Sequence, residues 1–295
     1  METLILSGGG SKGSFQAGVL YQLFDIFKFK EIKGTSVGAL NSVILAQCYL
    51  DNSAELLKKI WTEIIKKNDD VYNVNYLKSI ILNQPYSFSP LEKIIDKYIN
   101  IDSILKMPIE ISMTSTDLIT GNSVYITNKN SSKDVFKKGI IASATIPPAF
   151  PPVETGNYML VDGGLRENVP LKDIIKRKEN ILVIINSPIK MDIVENKNNL
   201  NLISVGTRAI DIMMNEITTN DINSIISIKE DQIKNKEKEK INIDIIAPYE
   251  NVMESSLDFN NNLLNKNFNN GRLRATKYIQ DVWGKEDKFY IKDAN

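Results

Sequence analysis

No histidine occurs among the 295 residues, and cysteine occurs once, as Cys48. The missing histidine excludes Ser-His-Asp and Cys-His catalysis, His-ligated zinc and imidazole acid–base work together. A single cysteine excludes an intramolecular disulfide framework and Cys-based zinc clusters. Only scattered carboxylates are left to bind a metal, and none forms an EF-hand loop, so no metal and no cofactor is expected. Any nucleophile must be served by a carboxylate, a lysine, a tyrosine or a metal.

Excess charge is also missing. The 36 Lys+Arg balance 36 Asp+Glu, which leaves no basic footprint for nucleic acid. Long apolar runs are absent: Ile181–Ile185, among the longest, has five residues, against the ~18 of a membrane span. The opening Met1-Glu2-Thr3-Leu4-Ile5-Leu6 places an acid where a signal peptide needs basic charge. The expectation is a cytoplasmic protein or one peripheral at a membrane surface; leaderless export would leave no mark. There is no internal repeat and no Pro/Gly/Ser-rich linker. With 42% apolar and 24% charged residues, the chain suits a soluble globule with a sizeable core.

What is present alternates. Thr3–Ser7 reads as a buried strand, Gly8–Gly13 as a loop, and Ser14 to about Phe27 as a helix. Glu31–Gly34 reads as a second strand, and Gly38–Tyr49 as an apolar helix. Ile109–Asp117 should pair with Asn122–Thr127 as a hairpin, with Asp117 as a strand-end turn residue. Asn180–Ile185 and Ile241–Ile246 are further strands, and Leu202 to Lys240 is largely helical. This order predicts an α/β fold of three layers, a mainly parallel sheet flanked by helices on both faces. Residues 3–172 are expected to form the catalytic core, and 173–295 the C-terminal part of the same domain. The charges of Lys229–Lys240 nearly cancel and read as a solvated helix face. The asparagine-rich stretch Phe259–Asn270 has no functional reading.

Three elements carry chemistry. Gly8-Gly9-Gly10-Ser11-Lys12-Gly13 follows a strand and precedes a helix, where bare amides attract an anion. A dinucleotide fold would want an acid at the end of the second strand, but Glu31 lies at its start. A P-loop would want lysine after Gly13, where Ser14 stands. What survives is a loop able to hold a negative oxygen, an oxyanion as well as a phosphate. Gly34-Thr35-Ser36-Val37-Gly38 is a G-x-S-x-G elbow, a sharp strand-to-helix turn that lifts a serine hydroxyl clear of the backbone. Without histidine, either Ser36 is inert or a carboxylate contacts it directly. Tyr158-Met159-Leu160-Val161-Asp162-Gly163-Gly164 supplies an acid at the end of an apolar strand. A parallel sheet would gather that strand end and Ser36 at one edge.

Together these stretches resemble the patatin-like phospholipases, lipid acyl hydrolases that use a Ser-Asp dyad without histidine. The likeness runs through Leu4–Gly13, through Gly34–Asn41 and through Ala142–Val153, then through Asp162–Leu171. It is looser beyond Lys172, where the chain is similar to the C-terminal portion of bacterial members. The resemblance implies Ser36 as nucleophile and Asp162 as general base. It implies an oxyanion hole in the Gly8, Gly9, Gly10 and Ser11 stretch, with Gly9, Gly10 and Ser11 the leading donors. Gly13, Gly34, Gly38, Gly163 and Gly164 support the turns, and Lys12 is a candidate head-group contact. The implied partners are phospholipid, lysophospholipid or another acyl ester, met transiently at a membrane or micelle surface. Two other readings stay open: hydrolysis of a soluble acyl ester or thioester, and a non-catalytic phosphate or nucleotide binder using the glycine loop. Asn168 is read as a brace for the Asp162 loop, and Met213, Met214 and Ile217 as helix core.

Overall fold

The computed structural model describes residues 2–74, 86–172, 174, 180–188, 202–234, 242–253 and 255–282. In chain order the strands are β1 (Thr3–Leu6), β2 (Glu31–Thr35), β3 (Asn73–Val74), β4 (Tyr86–Ser87) and β5 (Glu110–Asp117). They continue with β6 (Ser123–Thr127), β7 (Val153–Thr155), β8 (Tyr158–Asp162), β9 (Ile181–Ile184) and β10 (Ile243–Ile246). The helices are α1 (Gly13–Leu23), α2 (Val37–Asp51), α3 (Glu55–Lys59), α4 (Ser89–Tyr98) and α5 (Ile101–Ile104). After them come α6 (Lys133–Ser143), α7 (Leu202–Lys234) and α8 (Asn261–Val282).

Eight strands form one sheet in the order β10-β9-β1-β2-β5-β8-β7, with β6 paired to β5 from outside that path. The pairs from β10 through β5 are parallel. Those joining β6, β7 and β8 are antiparallel. Period-two alternation gives the sheet two apolar faces. On β1, Leu4 and Leu6 enter the larger core with α1, α2 and α8, while Ile5 joins a second cluster. That second cluster holds Ile181, Val183 and Ile185 of the β9 run and Ile222 and Ile225 of α7. The result is the three-layer α/β architecture expected.

The positions that differ have local causes. Helix α1 stops at Leu23, because the amides of Ile26 and Phe27 both turn back to the Leu23 carbonyl. Phe24 and Phe27 continue the apolar spacing without continuing the helix. Strand β8 is antiparallel to β5 rather than parallel, and this changes how the site is assembled. Apart from Glu230, the side chains of the Lys229–Lys240 run lie outside the described residues.

Candidate active site

One edge of β5 is shared by two strands. Along residues 112–116 its other edge is held by β6, so β2, paired up to Thr114, and β8, paired from Ser115, lie on the same side. β2 runs with β5 and β8 runs against it, so their C-terminal ends meet head to head. Thr35 sits opposite Thr114 and Asp162 opposite Ser115. Ser36 and Asp162 are therefore brought together by abutting strands. Abutting parallel and antiparallel strands, and not the shared C-terminal edge of a parallel sheet, make them neighbours.

Ser36 stands at the turn into α2 with φ 56 and ψ −125, a left-handed backbone that a side chain rarely adopts. Such a residue stores on the order of 1–3 kcal/mol and persists only when its surroundings fix it. Its N–H donates to Ser143 Oγ at 2.9 Å, and that hydroxyl donates to the Thr114 carbonyl at 2.6 Å. Thr35 Oγ1 donates to the Glu167 carbonyl at 3.1 Å. The elbow's glycines are needed for close approach. A Cβ on Gly34 would lie 2.3 Å from the Gly38 carbonyl group, and one on Gly38 would lie 2.2 Å from the Leu6 oxygen.

Asp162 is wholly buried. Its Oδ1 accepts the Gly164 N–H at 2.7 Å, and its own N–H donates to the Thr145 carbonyl at 2.8 Å. Oδ2 has no hydrogen bond of full geometry among the described residues. Burial pushes the Asp162 carboxyl up to about 7, against the Ser36 hydroxyl and the Gly164 amide, which favour the ionised form.

In the glycine loop, two of the four implied donors are already engaged. Gly8 N–H donates to Asn168 Oδ1 at 3.1 Å, and Ser11 N–H to the Ser256 carbonyl at 2.8 Å. The amides of Gly9 and Gly10 donate to no described residue. Lys12 is half-buried, with its N–H on the Gly9 carbonyl and its own carbonyl taking Asn267 Nδ2 at 3.1 Å. Its side chain is not part of the cleft wall.

That cleft opens at the elbow, where Ser36 and Val37 form part of its lining. Gly10 and Ser36 line it together with Leu40, Trp61, Tyr72 and Phe259 among a dozen apolar neighbours. Tyr72 and Phe259 of its wall meet at a centroid distance of 6.1 Å, and Tyr72 also packs on Tyr86 and Phe150 at 5.3 and 5.8 Å. Trp61 donates Nε1 to Asn41 Oδ1 at 2.8 Å, and Asn41 Nδ2 donates to the Gly13 carbonyl at 2.9 Å. The wall is tied in this way to the loop beside Ser36.

One face of α7 braces these parts. Asp211 accepts from Ser256 Oγ at 2.6 Å, Thr218 Oγ1 accepts from Asn168 Nδ2 at 2.6 Å, and Asp221 Oδ2 accepts the Val169 N–H at 3.0 Å. Met214 lies against Gly164, where an added Cβ would meet its methyl at 2.1 Å. Burial pushes the Asp221 carboxyl up to about 6. The reading of three helical core positions holds for Met214 alone, since Met213 is 50% exposed and Ile217 is half-buried. Asn168 braces the glycine loop through Gly8 and ties it to α7, next to the Asp162 turn. Asn267, in the asparagine-rich stretch left without a reading, is buried and also donates to Ser14 Oγ at 3.0 Å. Asp117 is a turn residue as expected, accepting from Ile119, Thr120 and Met159. Cys48 is buried, and its thiol is pushed up to about 12.

The family model for patatin-like phospholipases matches residues 4–175, more than half of the chain. The chain belongs to this family. An uncharacterized NTE family protein of Mycobacterium tuberculosis (strain ATCC 25618 / H37Rv) is 27% identical over 168 residues, 57% of this chain and 27% of the relative. A second from the same strain is 27% identical over 177 residues, covering 58% of this chain and 44% of the relative. The chain thus spans less than half the length of the curated relatives it matches. Among solved structures, VipD from Legionella pneumophila aligns over 95% of this chain and 67% of its own, with 14% identity and a TM-score of 0.45. Membership supports lipid acyl hydrolysis in general terms. No helix among the described residues is long and apolar enough to cross a membrane.

Proposed function

We propose that this patatin-like chain is a serine acyl hydrolase that releases fatty acid from phospholipid or lysophospholipid esters. The observation that carries the reading is the cleft itself: an apolar cavity with Ser36 and Gly10 in its wall, beside a buried carboxyl pushed to about 7. An apolar wall suits an acyl chain and offers a nucleotide little to bind. Residues 173–295 belong to the same domain in this proposal, because β9 and β10 extend the sheet and α7 braces the site.

In the proposed reaction Ser36 Oγ attacks the ester carbonyl carbon, and its proton passes to Asp162. The oxyanion is held by the Gly9 and Gly10 amides, the loop donors not engaged elsewhere. The C–O bond to the leaving alcohol breaks, and Asp162 returns the proton to that oxygen. Water then attacks the acyl-Ser36 carbonyl carbon as Asp162 takes its proton, the C–Oγ bond breaks, Asp162 returns the proton to Ser36 Oγ, and the fatty acid leaves. An aspartate at its ordinary value is a poor base for a hydroxyl; one near 7 is matched to neutral pH. Head groups stay outside the apolar cleft, at a membrane or micelle surface, in the region where Lys12 precedes α1.

A lipid panel tests this reading directly. Fatty-acid release from phosphatidylcholine and lysophosphatidylcholine, accelerated above the micellar concentration and lost in Ser36→Ala, is the expected result. Hydrolysis confined to soluble esters or thioesters would move the substrate class. No hydrolysis, together with saturable nucleotide binding, would overturn the enzyme reading.

A further inference from the structure

Glycine alone does not aim an amide. Gly9 sits at φ 146 and Gly10 at φ 57, regions in which a peptide plane can rotate with little steric resistance. Something outside the loop must fix the direction of the Gly9 N–H. Across a trans peptide the carbonyl and the following N–H point in opposite directions. Whatever holds the Gly8 carbonyl therefore also aims the Gly9 amide.

Two side chains hold that carbonyl. Asn186, just past the end of β9, donates Nδ2 to the Gly8 oxygen at 3.2 Å and to the Ser7 oxygen at 3.0 Å. Two carbonyls accept only from the NH₂ end of the amide, so the orientation of the side chain is fixed chemically. Ser7 Oγ donates its single proton to the same Gly8 oxygen at 3.0 Å and accepts the Asn186 N–H at 3.1 Å. Asn186 is buried, and its Oδ1 has no partner among the described residues. An orphaned buried acceptor destabilises the fold, so packing alone does not account for asparagine here. Asn186 also lies outside the region matched by the family model, which ends at residue 175.

We infer that Asn186 is a positioning residue for the oxyanion hole. By clamping the Gly8 carbonyl together with Ser7, it turns the Gly9 N–H away from β9 and keeps it available to the developing oxyanion. The inference rests on the acyl-hydrolase reading for its kinetic consequence, but not for the geometry of the peptide.

The test compares wild type with Asn186→Asp, Asn186→Ala and Ser7→Ala, using a four-carbon p-nitrophenyl ester and a long-chain alkyl trifluoromethyl ketone. Asn186→Asp keeps the shape and, assayed at alkaline pH where the carboxylate is ionised, loses both donors. The expected result is a kcat about 10- to 100-fold lower in both Asn186 variants, with KM within about twofold. Affinity for the ketone, which forms a tetrahedral adduct on a serine, should fall in parallel. Ser7→Ala should shift the same way by less. A wild-type kcat in Asn186→Asp, or a raised KM with kcat retained, would overturn the inference. If Asn186→Ala does not fold, Asn186→Asp and Ser7→Ala decide. The ¹H–¹⁵N resonance of Gly9 reads the peptide independently of turnover, and it should move in Asn186→Asp. An unmoved resonance contradicts the clamp. If wild type hydrolyses no ester, the functional reading fails, and this resonance alone decides whether Asn186 orients the amide.

Discussion

The reacting centre and the cleft wall are neighbours built on opposite principles. The centre is drawn from three short stretches in which backbone approaches backbone, with Gly34, Gly38 and Gly163 each leaving no room for a methyl group. The wall is drawn from scattered segments that share only an apolar character, from Leu40 on α2 to Phe259 beside α8. Chemistry tolerates no displacement, so it is written in fixed residues at fixed spacing. Enclosing a chain of methylenes requires volume and hydrophobicity, which many combinations of residues supply. Changes at the centre should therefore abolish a reaction, whereas changes in the wall should retune it.

The largest expected effect is at the dyad. Ser36→Ala should remove turnover, and Asp162→Asn should lower kcat by about 10²- to 10⁴-fold with an unchanged circular dichroism spectrum. Full activity in Asp162→Asn would separate the carboxylate from the reaction. Next is the pH profile. Asp162 acts as a base only when ionised, so kcat/KM should rise with pH through about 7. With no histidine in the chain, that limb should disappear in Asp162→Asn rather than shift.

Stability should move the other way. The folded-state value lies above the unfolded aspartate value of about 3.9, so the native state binds the extra proton and is favoured at low pH. That contribution is lost as pH rises through about 7. At pH 8 Asp162→Asn should be more stable than wild type by on the order of 2–4 kcal/mol. The gap should close toward pH 4 in urea unfolding. A variant that is both more stable and inactive would show that this carboxylate is kept at a cost to the fold.

The smallest expected effect belongs to the wall. Ile65 also lines the cleft, and narrowing it there with Ile65→Trp should raise KM for long-chain esters about tenfold, the equivalent of roughly two buried methylenes, and change a four-carbon ester much less. Equal losses on both esters would mean that the wall and the centre are not separable.

This division also explains what could be read in advance. Ser36, Asp162 and the glycine loop are legible because turn geometry restricts their neighbours to glycine, which is rare enough to stand out. The hairpin from Glu110 to Thr127 is legible from its alternation and its Gly121 turn. The direction of β8 is not, since Tyr158–Asp162 has the same pattern run either way, and only the edge left open on β5 decides it. Asn168 is legible as a brace but not its partner Gly8, and Asn186 and Asn267 escape notice, because an amide that braces a loop looks like any surface asparagine until its partners, more than 150 residues away, are known. The bracing face of α7 mixes Asp211, Met214, Thr218 and Asp221, which follow helical spacing but not a hydrophobic one.

The central claim is that a buried carboxylate activates Ser36 without imidazole. Intact mass after treatment with a lipid-like fluorophosphonate tests it most directly, on wild type, Ser36→Ala and Asp162→Asn. One adduct on wild type, none on Ser36→Ala and much slower labelling of Asp162→Asn is the expected outcome. No adduct on folded wild type, or equal rates in wild type and Asp162→Asn, would contradict it.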